Sequence, residues 1–199
     1  MEMVKSVHVL LYDIVRYLLL YQHGGVYLDT DVILLKPLPP DNNFVSVEYR
    51  PKQNLAAGAI KFQPRHQVIR TILENLAANF SGLEWGANGP LQLTKVVRRL
   101  CEVAGGGWWG GGGDRDGWTC GDVTIFRQEY FYPVNWRHWQ SLFLTKDSDN
   151  VMAEHSGSYV AHLWGHHSRG QRAVERGSAV GKMARRNCPE AAQEFSWID

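Results

Sequence analysis

The sequence has no long apolar run and no excess of charge, and each absence excludes a class of protein. Its 21 basic and 20 acidic residues leave a formal net charge of +1, so no polybasic surface is available for nucleic acid or an anionic membrane. The most apolar stretch, Val7–Tyr21, is interrupted by His8, Asp13 and Arg16 and falls short of the ~18–20 apolar residues that span a bilayer. We expect no nucleic-acid partner, and membrane attachment only through an anchor absent from this chain.

Cysteine is also scarce, because the 199 residues contain only three. None forms a Cys-x-x-Cys pair, which argues against a zinc site or thioredoxin-like chemistry. Cys101 and Cys120 flank a glycine-rich stretch, residues 104–117, and are able to close it as a disulfide. The alternative is that all three thiols are reduced and buried. The glycine-rich stretch itself is of low complexity and is predicted to be a flexible surface insertion.

Helices and strands alternate along the rest of the chain without internal repeats, which favours an α/β fold. Apolar spacing predicts helices over Val7–Gln22, His66–Phe80, Leu91–Leu100 and Ala179–Arg186. It predicts strands over Val26–Leu28, Val32–Leu35, Phe44–Val47, Ala57–Phe62, Val123–Phe126, Phe131–Tyr132 and Tyr159–Trp164. Eight tryptophans are many for this length, and their flat rings suit both cores and sugar-binding surfaces.

Two carboxylates separated by one residue, Asp29 and Asp31, come directly after an apolar strand. In a turn both are able to point into the same space. Mg²⁺ and Mn²⁺ take oxygen ligands and usually share their coordination sphere with phosphate. Open α/β sheets bind ligands beyond the carboxyl ends of their strands. The pair therefore predicts a metal–diphosphate site, with a solvated acidic turn as the alternative.

The residues around this pair carry a resemblance to a known family. Asp13-Ile14-Val15-Arg16-Tyr17, followed by Gly24-Gly25-Val26-Tyr27-Leu28-Asp29-Thr30-Asp31, resembles the DxD sugar-binding region of glycosyltransferases. Later motifs are similar, in order, to those of the α-1,4-glycosyltransferases: Asn79-Phe80, Trp85-Gly86-Ala87-Asn88-Gly89-Pro90, Phe131-Tyr132-Pro133-Val134 and His162-Leu163-Trp164-Gly165-His166-His167-Ser168. The resemblance covers nearly the whole chain.

This resemblance implies a GT-A-like fold with a Rossmann-type nucleotide-sugar-binding domain. It implies that a UDP-hexose donates galactose or N-acetylgalactosamine, with retention and in α-1,4 linkage, to a glycosphingolipid acceptor in the Golgi lumen. Residues 1–100 correspond to the DxD sugar-binding region and residues 101–199 to the second region of the family. Relatives carry further strands before the Asp-x-x-Arg helix, which here begins almost at Met1, so we expect an N-terminally truncated domain.

The resemblance also implies roles at a Mn²⁺ or Mg²⁺ site. Asp31 is the expected direct metal ligand, and Asp29 is expected to contact the donor ribose or the metal through water. His162 corresponds to a histidine that binds the metal or the diphosphate, with a satisfied core histidine as the alternative.

The remaining roles concern the two substrates. Asp13, Arg16 and Tyr27 are expected near the nucleotide sugar, although a structural Asp13–Arg16 ion pair is an equally good interpretation. Trp85, Asn88 and Gly89 are expected at the acceptor, and Asn88 is also grouped with the two aspartates as catalytic. Trp85 has a core anchor as its alternative role.

Two other functions fit parts of the pattern. Apolar strand, Asp-x-Asp, apolar strand also occurs in haloacid-dehalogenase-type phosphohydrolases, but the downstream Gly-Asp-x-x-x-Asp of that class is not found here. A catalytically weak sugar- or lipid-binding fragment is the other alternative, because the preceding strands of the family are missing.

Overall fold

The computed structural model describes residues 3–81, 86–105, 108, 117–171, 174–194 and 197–198. Trp85 and most of the glycine-rich stretch lie outside these residues. The chain forms two compact units: the first combines Met1–Leu28 with Pro40–Arg127, and the second combines Asp29–Pro39 with Gln128–Asp199. Each unit contains both helices and strands, which confirms the α/β prediction.

The elements are numbered in chain order. The helices are α1 (Met3–His23), α2 (Gln67–Asn79), α3 (Pro90–Val103), α4 (Ser148–Glu154), α5 (Gly165–Ser168), α6 (Ala179–Asn187) and α7 (Pro189–Gln193). The strands are β1 (Gly25–Leu28), β2 (Val32–Leu34), β3 (Phe44–Tyr49), β4 (Asn54–Phe62), β5 (Gly117–Cys120), β6 (Val123–Phe126), β7 (Val160–His162), β8 (Val174–Glu175) and β9 (Trp197–Ile198). Short 3₁₀ helices cover Arg50–Lys52, Gln128–Tyr130, Trp136–Phe143 and Thr145–Asp147.

The first unit is built on a mixed five-stranded sheet in the order β1-β4-β3-β6-β5. β3 and β6 pair in parallel, and the other neighbours are antiparallel. Helices α1, α2 and α3 contribute the apolar side chains that cover the sheet, among them Tyr17, Ile69, Ile72, Leu93 and Val97, all with no exposed surface. Because β4 is buried along most of its length, its sequence is a nearly continuous apolar run.

A disulfide between Cys101 and Cys120 joins the last turn of α3 to the end of β5, with the Cα atoms 4.6 Å apart. Of the two alternatives that the sequence left open, the structure therefore has the disulfide, and Cys188 is the free thiol. The bond closes a loop across the glycine-rich stretch. Cross-linking a loop of this size lowers the conformational entropy of the unfolded chain, which stabilises the folded protein by about 3 kcal/mol.

The second unit contains two small ladders. β2 pairs antiparallel with β7, with Val32 opposite His162, and β8 pairs in parallel with β9. Ser178 caps the start of α6, since its hydroxyl accepts a hydrogen bond from the backbone N–H of Gly181 at 3.1 Å. This cap satisfies one of the amides that a helix leaves free at its start.

One predicted strand is wrong. Phe131 and Tyr132 lie in the turn after the 3₁₀ helix Gln128–Tyr130. Both rings are almost fully buried, and the backbone amides of both residues donate to the carbonyl oxygen of Gln128, so the segment packs as a turn. β5 and α4 were not predicted, because with four and seven residues each gives only about two repeats of its apolar pattern.

No helix in the described part of the chain is both long enough and apolar enough to cross a bilayer.

A buried histidine at the end of α4 makes the stability of the protein depend on pH. His155 is 5% exposed, and its Nδ1 donates to the carbonyl oxygen of Val151 at 2.7 Å. Burial lowers the pKa of His155 below its usual 6.5, and the bond to Val151 only partly opposes this. The unfolded chain therefore binds more protons as the pH falls below 6.5, so acidification decreases the free energy of unfolding.

We expect His155→Gln to reduce this loss, because the amide of glutamine does not titrate. Urea unfolding of the wild type and the variant above and below pH 6.5 measures the difference. An identical pH dependence in the two proteins would exclude His155 as the titrating group.

Candidate metal and donor site

The Asp29-Thr30-Asp31 segment is a tight connection between two strands. β1 ends at Leu28 and β2 begins at Val32, so the three residues follow one apolar strand and precede another. β7 pairs with β2 in a register that places His162 opposite Val32. The backbone N–H of Leu163 extends this pairing by donating to the carbonyl oxygen of Asp31 at 2.9 Å. The ladder thus brings His162 beside the aspartate pair from 130 residues further along the chain.

Asp29, Asp31 and His162 form a compact group of possible metal ligands. One ligand atom from each lies within 4.8 Å of the others, and no other group of three such side chains exists among the described residues. His162 Nε2 lies 3.5 Å from Asp31 Oδ1 and 3.8 Å from Asp29 Oδ2. The carboxylates are a little over one-quarter exposed, whereas the imidazole is 10% exposed. The imidazole is therefore held within the protein, whereas the two carboxylates are accessible to a small ligand.

The backbone amides of Trp164 and Gly165, shortly after β7, orient these side chains. Gly165 N–H donates to Asp31 Oδ2 at 2.5 Å, and Trp164 N–H donates to His162 Nδ1 at 3.1 Å. The other polar atoms, Asp31 Oδ1 and His162 Nε2, are thereby left facing each other. Because Nδ1 accepts a hydrogen bond, the proton of the neutral imidazole lies on Nε2 and points toward the carboxylates.

Aromatic rings support the imidazole. The centroid of His162 lies 4.5 Å from that of Trp164 and 5.2 Å from that of Tyr132. The indole of Trp164 in turn donates to the carbonyl oxygen of Val134 at 3.0 Å. The Phe-Tyr-Pro-Val segment of the sequence therefore serves the site through the ring of Tyr132 and the backbone of Val134.

The donor atoms present suit a hard divalent cation. Two carboxylates held close together repel each other, and a cation between them removes that repulsion. Carboxylate oxygens with one imidazole are suitable ligands for Mn²⁺, and Mg²⁺ accepts the same oxygens with water or phosphate completing its sphere. Asp29 and Asp31 offer carboxylate oxygens to such an ion. Ligation through His162 Nε2 needs the other tautomer of the ring.

A second group of predicted residues lies within the first unit. Asp13 and Arg16 form an ion pair with a 3.0 Å separation, and both are buried. Arg16 also donates to the carbonyl oxygen of Ala57 at 2.8 Å, and its guanidinium carbon lies 4.8 Å from the ring centroid of Tyr27. Gly89 lies directly against the Asp13 carboxylate, where any side chain would overlap it. The structure therefore brings Asp13, Arg16, Tyr27 and Gly89 together.

Asn88 is fully buried, and its amide is bonded to one backbone position. Its Oδ1 accepts from Ser81 N–H at 3.0 Å, and its Nδ2 donates to the carbonyl oxygen of Ser81 at 2.6 Å. These two bonds fix the two ends of the segment between residues 81 and 88 relative to each other. Trp85 belongs to that segment but lies outside the described residues.

Trp164 and Gly165 were not identified as site residues from the sequence. The signal available was a glycine directly after His162-Leu163-Trp164 in the motif, since a glycine often marks a close approach of the backbone. A Cβ atom at position 165 would lie 2.8 Å from Asp31 Oδ2. The backbone at Gly165 therefore does approach another group closely, but that group, the Asp31 carboxylate, is distant in sequence.

Two family models together match most of the chain. Residues 61–195 match the family model described as the alpha 1,4-glycosyltransferase conserved region, and residues 1–50 match that of the glycosyltransferase sugar-binding region containing a DXD motif. No solved structure matches the chain.

Curated relatives are similar at low identity. The chain is 28% identical to the human alpha-1,4-N-acetylglucosaminyltransferase over 92% of its own length and 51% of that protein. It is 29% identical to the mouse lactosylceramide 4-alpha-galactosyltransferase over 89% of its length and 47% of that protein. The chain thus spans about half the length of these relatives. The first family model alone covers more than half of the chain. The protein therefore belongs to the α-1,4-glycosyltransferase family.

Proposed function

We propose that this chain carries the cation and donor site of a retaining, metal-dependent hexosyltransferase. The observation that carries the proposal is the convergence of Asp29, Asp31 and His162. The substrate is a UDP-sugar whose diphosphate shares the cation, and the product is an α-1,4-linked glycoside. A GT-A-like, Rossmann-type arrangement built from the DxD region in residues 1–100 and the family region in residues 101–199 is part of the proposal.

The reaction breaks the bond between the sugar and UDP, so the two phosphates gain negative charge as UDP departs. A Mn²⁺ or Mg²⁺ ion bound at this site supplies Lewis-acid stabilisation of that charge. Asp31 binds the cation, and Asp29 binds it or the donor ribose. His162 presents its Nε2 edge to the same space, where it orients a carboxylate or a phosphate oxygen. The protein thus contributes fixed positions and charges that need no rearrangement during the reaction.

The residues of the first unit act on the substrates. Asp13, Arg16 and Tyr27 serve donor binding, and the ion pair keeps the Arg16 guanidinium in place beside the Tyr27 ring. Asn88 acts through the backbone that it fixes, and Gly89 lets that backbone approach Asp13. Trp85 offers a sugar-stacking ring on the acceptor side.

The names of two relatives bear on the donor and the acceptor. One relative is named for galactose transfer to lactosylceramide and the other for N-acetylglucosamine transfer. For this chain we propose galactose or N-acetylgalactosamine transfer to a glycosphingolipid. The Golgi lumen is the proposed compartment, since the Cys101–Cys120 disulfide requires an oxidising environment.

A donor panel tests the proposal. The purified chain is incubated with Mn²⁺ and UDP-galactose, UDP-N-acetylgalactosamine or UDP-N-acetylglucosamine, with lactosylceramide as the acceptor, and released UDP and glycolipid product are measured. We expect UDP release with one of the first two donors that stops in EDTA. Donor binding without turnover would instead indicate a binding fragment, and turnover that persists in EDTA would exclude a metal-dependent site.

A further inference from the structure

Two successive residues after β7 hold the candidate metal site together, and neither supplies a ligand atom to it from a side chain. Their backbone amides point at two different site residues, Trp164 N–H at His162 Nδ1 and Gly165 N–H at Asp31 Oδ2. A single turn of the chain therefore fixes both an imidazole and a carboxylate.

The turn has a backbone conformation that needs support. Trp164 has φ 54° and ψ 50°, in the left-handed region that is unfavourable for a residue with a side chain. Its indole holds it there, since the ring is 7% exposed, bonds to Val134 and lies 5.7 Å from the ring centroid of Tyr132.

The next residue has no room for a side chain. A Cβ atom at position 165 would lie 2.8 Å from Asp31 Oδ2, and 3.2 and 3.3 Å from its Cβ and Cγ. An added methyl group would push the carboxylate away and break the Gly165 N–H bond to Oδ2. The rotation would also move Oδ1 away from His162 Nε2.

We propose that Trp164 and Gly165 are positioning residues for the cation: the left-handed turn at Trp164 aims two amides that set the orientations of His162 and Asp31. This inference rests on the proposed function, because it assigns the geometry of the same site.

The test compares alanine at two glycines of the second unit. Gly165→Ala is expected to weaken Mn²⁺ binding at least about tenfold, because the added methyl group displaces the Asp31 carboxylate. A tenfold change corresponds to about 1.4 kcal/mol of binding free energy, and electron paramagnetic resonance titration measures it. Gly157→Ala is the matched control, since a Cβ there meets nothing within 4 Å, and its Mn²⁺ affinity is expected to equal that of the wild type. Thermal unfolding of both variants reports on the fold.

A second measurement does not depend on how Gly165→Ala folds. In a ¹⁵N–¹H spectrum of the wild type, the Gly165 amide proton is expected far downfield because it bonds to a carboxylate, and Asp31→Ala is expected to move it upfield. Wild-type Mn²⁺ affinity in Gly165→Ala, or an unmoved Gly165 amide in Asp31→Ala, would overturn the assignment. Failure of the wild type itself to bind Mn²⁺ would instead count against the proposed function.

A separate observation in the first unit identifies a modification site. Asn79-Phe80-Ser81 is an Asn-x-Ser acceptor for N-linked glycan, and none of the other eight asparagines in the sequence has Ser or Thr two residues later. Asn79 is the last residue of α2 and is exposed, and Phe80 continues the chain in an extended conformation. This glycosylation motif thus lies on the surface at the end of α2.

The same unit contains the Cys101–Cys120 disulfide, which forms in the compartment where this glycan is added. We infer that Asn79 is N-glycosylated, which rests on the lumenal location proposed above. The side-chain amide nitrogen bonds to the anomeric carbon of a lipid-diphosphate-linked oligosaccharide, loses one proton, and the lipid diphosphate leaves. The host oligosaccharyltransferase catalyses this transfer.

The full chain, secreted from a eukaryotic host behind a cleavable leader, is compared before and after peptide-N-glycosidase F. We expect a mobility shift of one glycan that Asn79→Gln removes and Ser81→Thr retains. Adding Met152→Thr to the Asn79→Gln chain makes the exposed Asn150 an acceptor and serves as the positive control. Glycan on that control, with none on the wild type, would overturn the assignment.

Discussion

Replacing Arg16 with methionine is expected to lower the free energy of unfolding by about 3–5 kcal/mol, because it leaves the Asp13 carboxylate buried without its counter-charge. Asp13 is 3% exposed and lies 3.0 Å from the guanidinium. Arg16 also donates a hydrogen bond to Ala57 and packs on the Tyr27 ring. Methionine keeps part of the packing but makes no hydrogen bond. Urea denaturation followed by tryptophan fluorescence measures the loss.

Arg70→Met provides the control for removal of an arginine. Arg70 and Glu74 form an exposed pair on α2 with a separation of 4.0 Å, and such pairs contribute about 1 kcal/mol or less. Equal stability of the two variants would mean that the Asp13–Arg16 pair is not the buried electrostatic anchor that the structure shows.

Under the proposed function, Asp31→Ala is expected to reduce Mn²⁺-dependent UDP release by about 100-fold or more, because a cation that stabilises the departing diphosphate would lose one of its carboxylate ligands. The fold should be retained, since Asp31 lies at a turn and its side chain is 27% exposed. Initial rates at saturating UDP-galactose, with thermal unfolding in parallel, separate these effects.

Asp149→Ala is the matched control for loss of an aspartate. Its carboxylate is 98% exposed in α4 and pairs with Lys182, so its removal should leave the rate unchanged. A similar loss of rate in both variants would point to a general effect of net charge and not to a site at Asp31.

Features formed by residues that lie close together in sequence were predictable. Asp13 and Arg16 are three apart on a helix, so their pairing follows from helical geometry. Their burial does not follow, because it depends on Ala57 and Tyr27 from two strands of the sheet. The Asp-x-Asp turn between two apolar runs was likewise visible in the sequence. His162, the third member of the group, was found only through a family motif.

The long-range part of the site depends on strand register, which the residues of one strand do not specify. Val32 pairs with His162, and a slip of one residue would turn the imidazole to the other face of the ladder. The sequence predicted strands over both segments without linking them. Trp164 in a left-handed conformation was not predictable, since only its packing against Tyr132 and Val134 makes that conformation acceptable.

Tyr132 illustrates a prediction that failed for a physical reason. Its apolar, aromatic neighbourhood suggested a strand, but the ring is buried because it packs on His162 and Trp164. Burial and strand pairing are independent requirements, and a short aromatic segment does not distinguish them. The same segment nonetheless belongs to a family motif, and in the structure it packs against the imidazole of the site.

Mn²⁺ binding, measured by electron paramagnetic resonance with and without UDP, tests the site most directly. The expected result is one bound Mn²⁺ per wild-type chain, tighter binding when UDP is added, and loss of both effects in Asp31→Ala. Binding of Mn²⁺ that is unchanged in Asp31→Ala, or that UDP does not affect, would contradict a cation–diphosphate site formed by Asp29, Asp31 and His162.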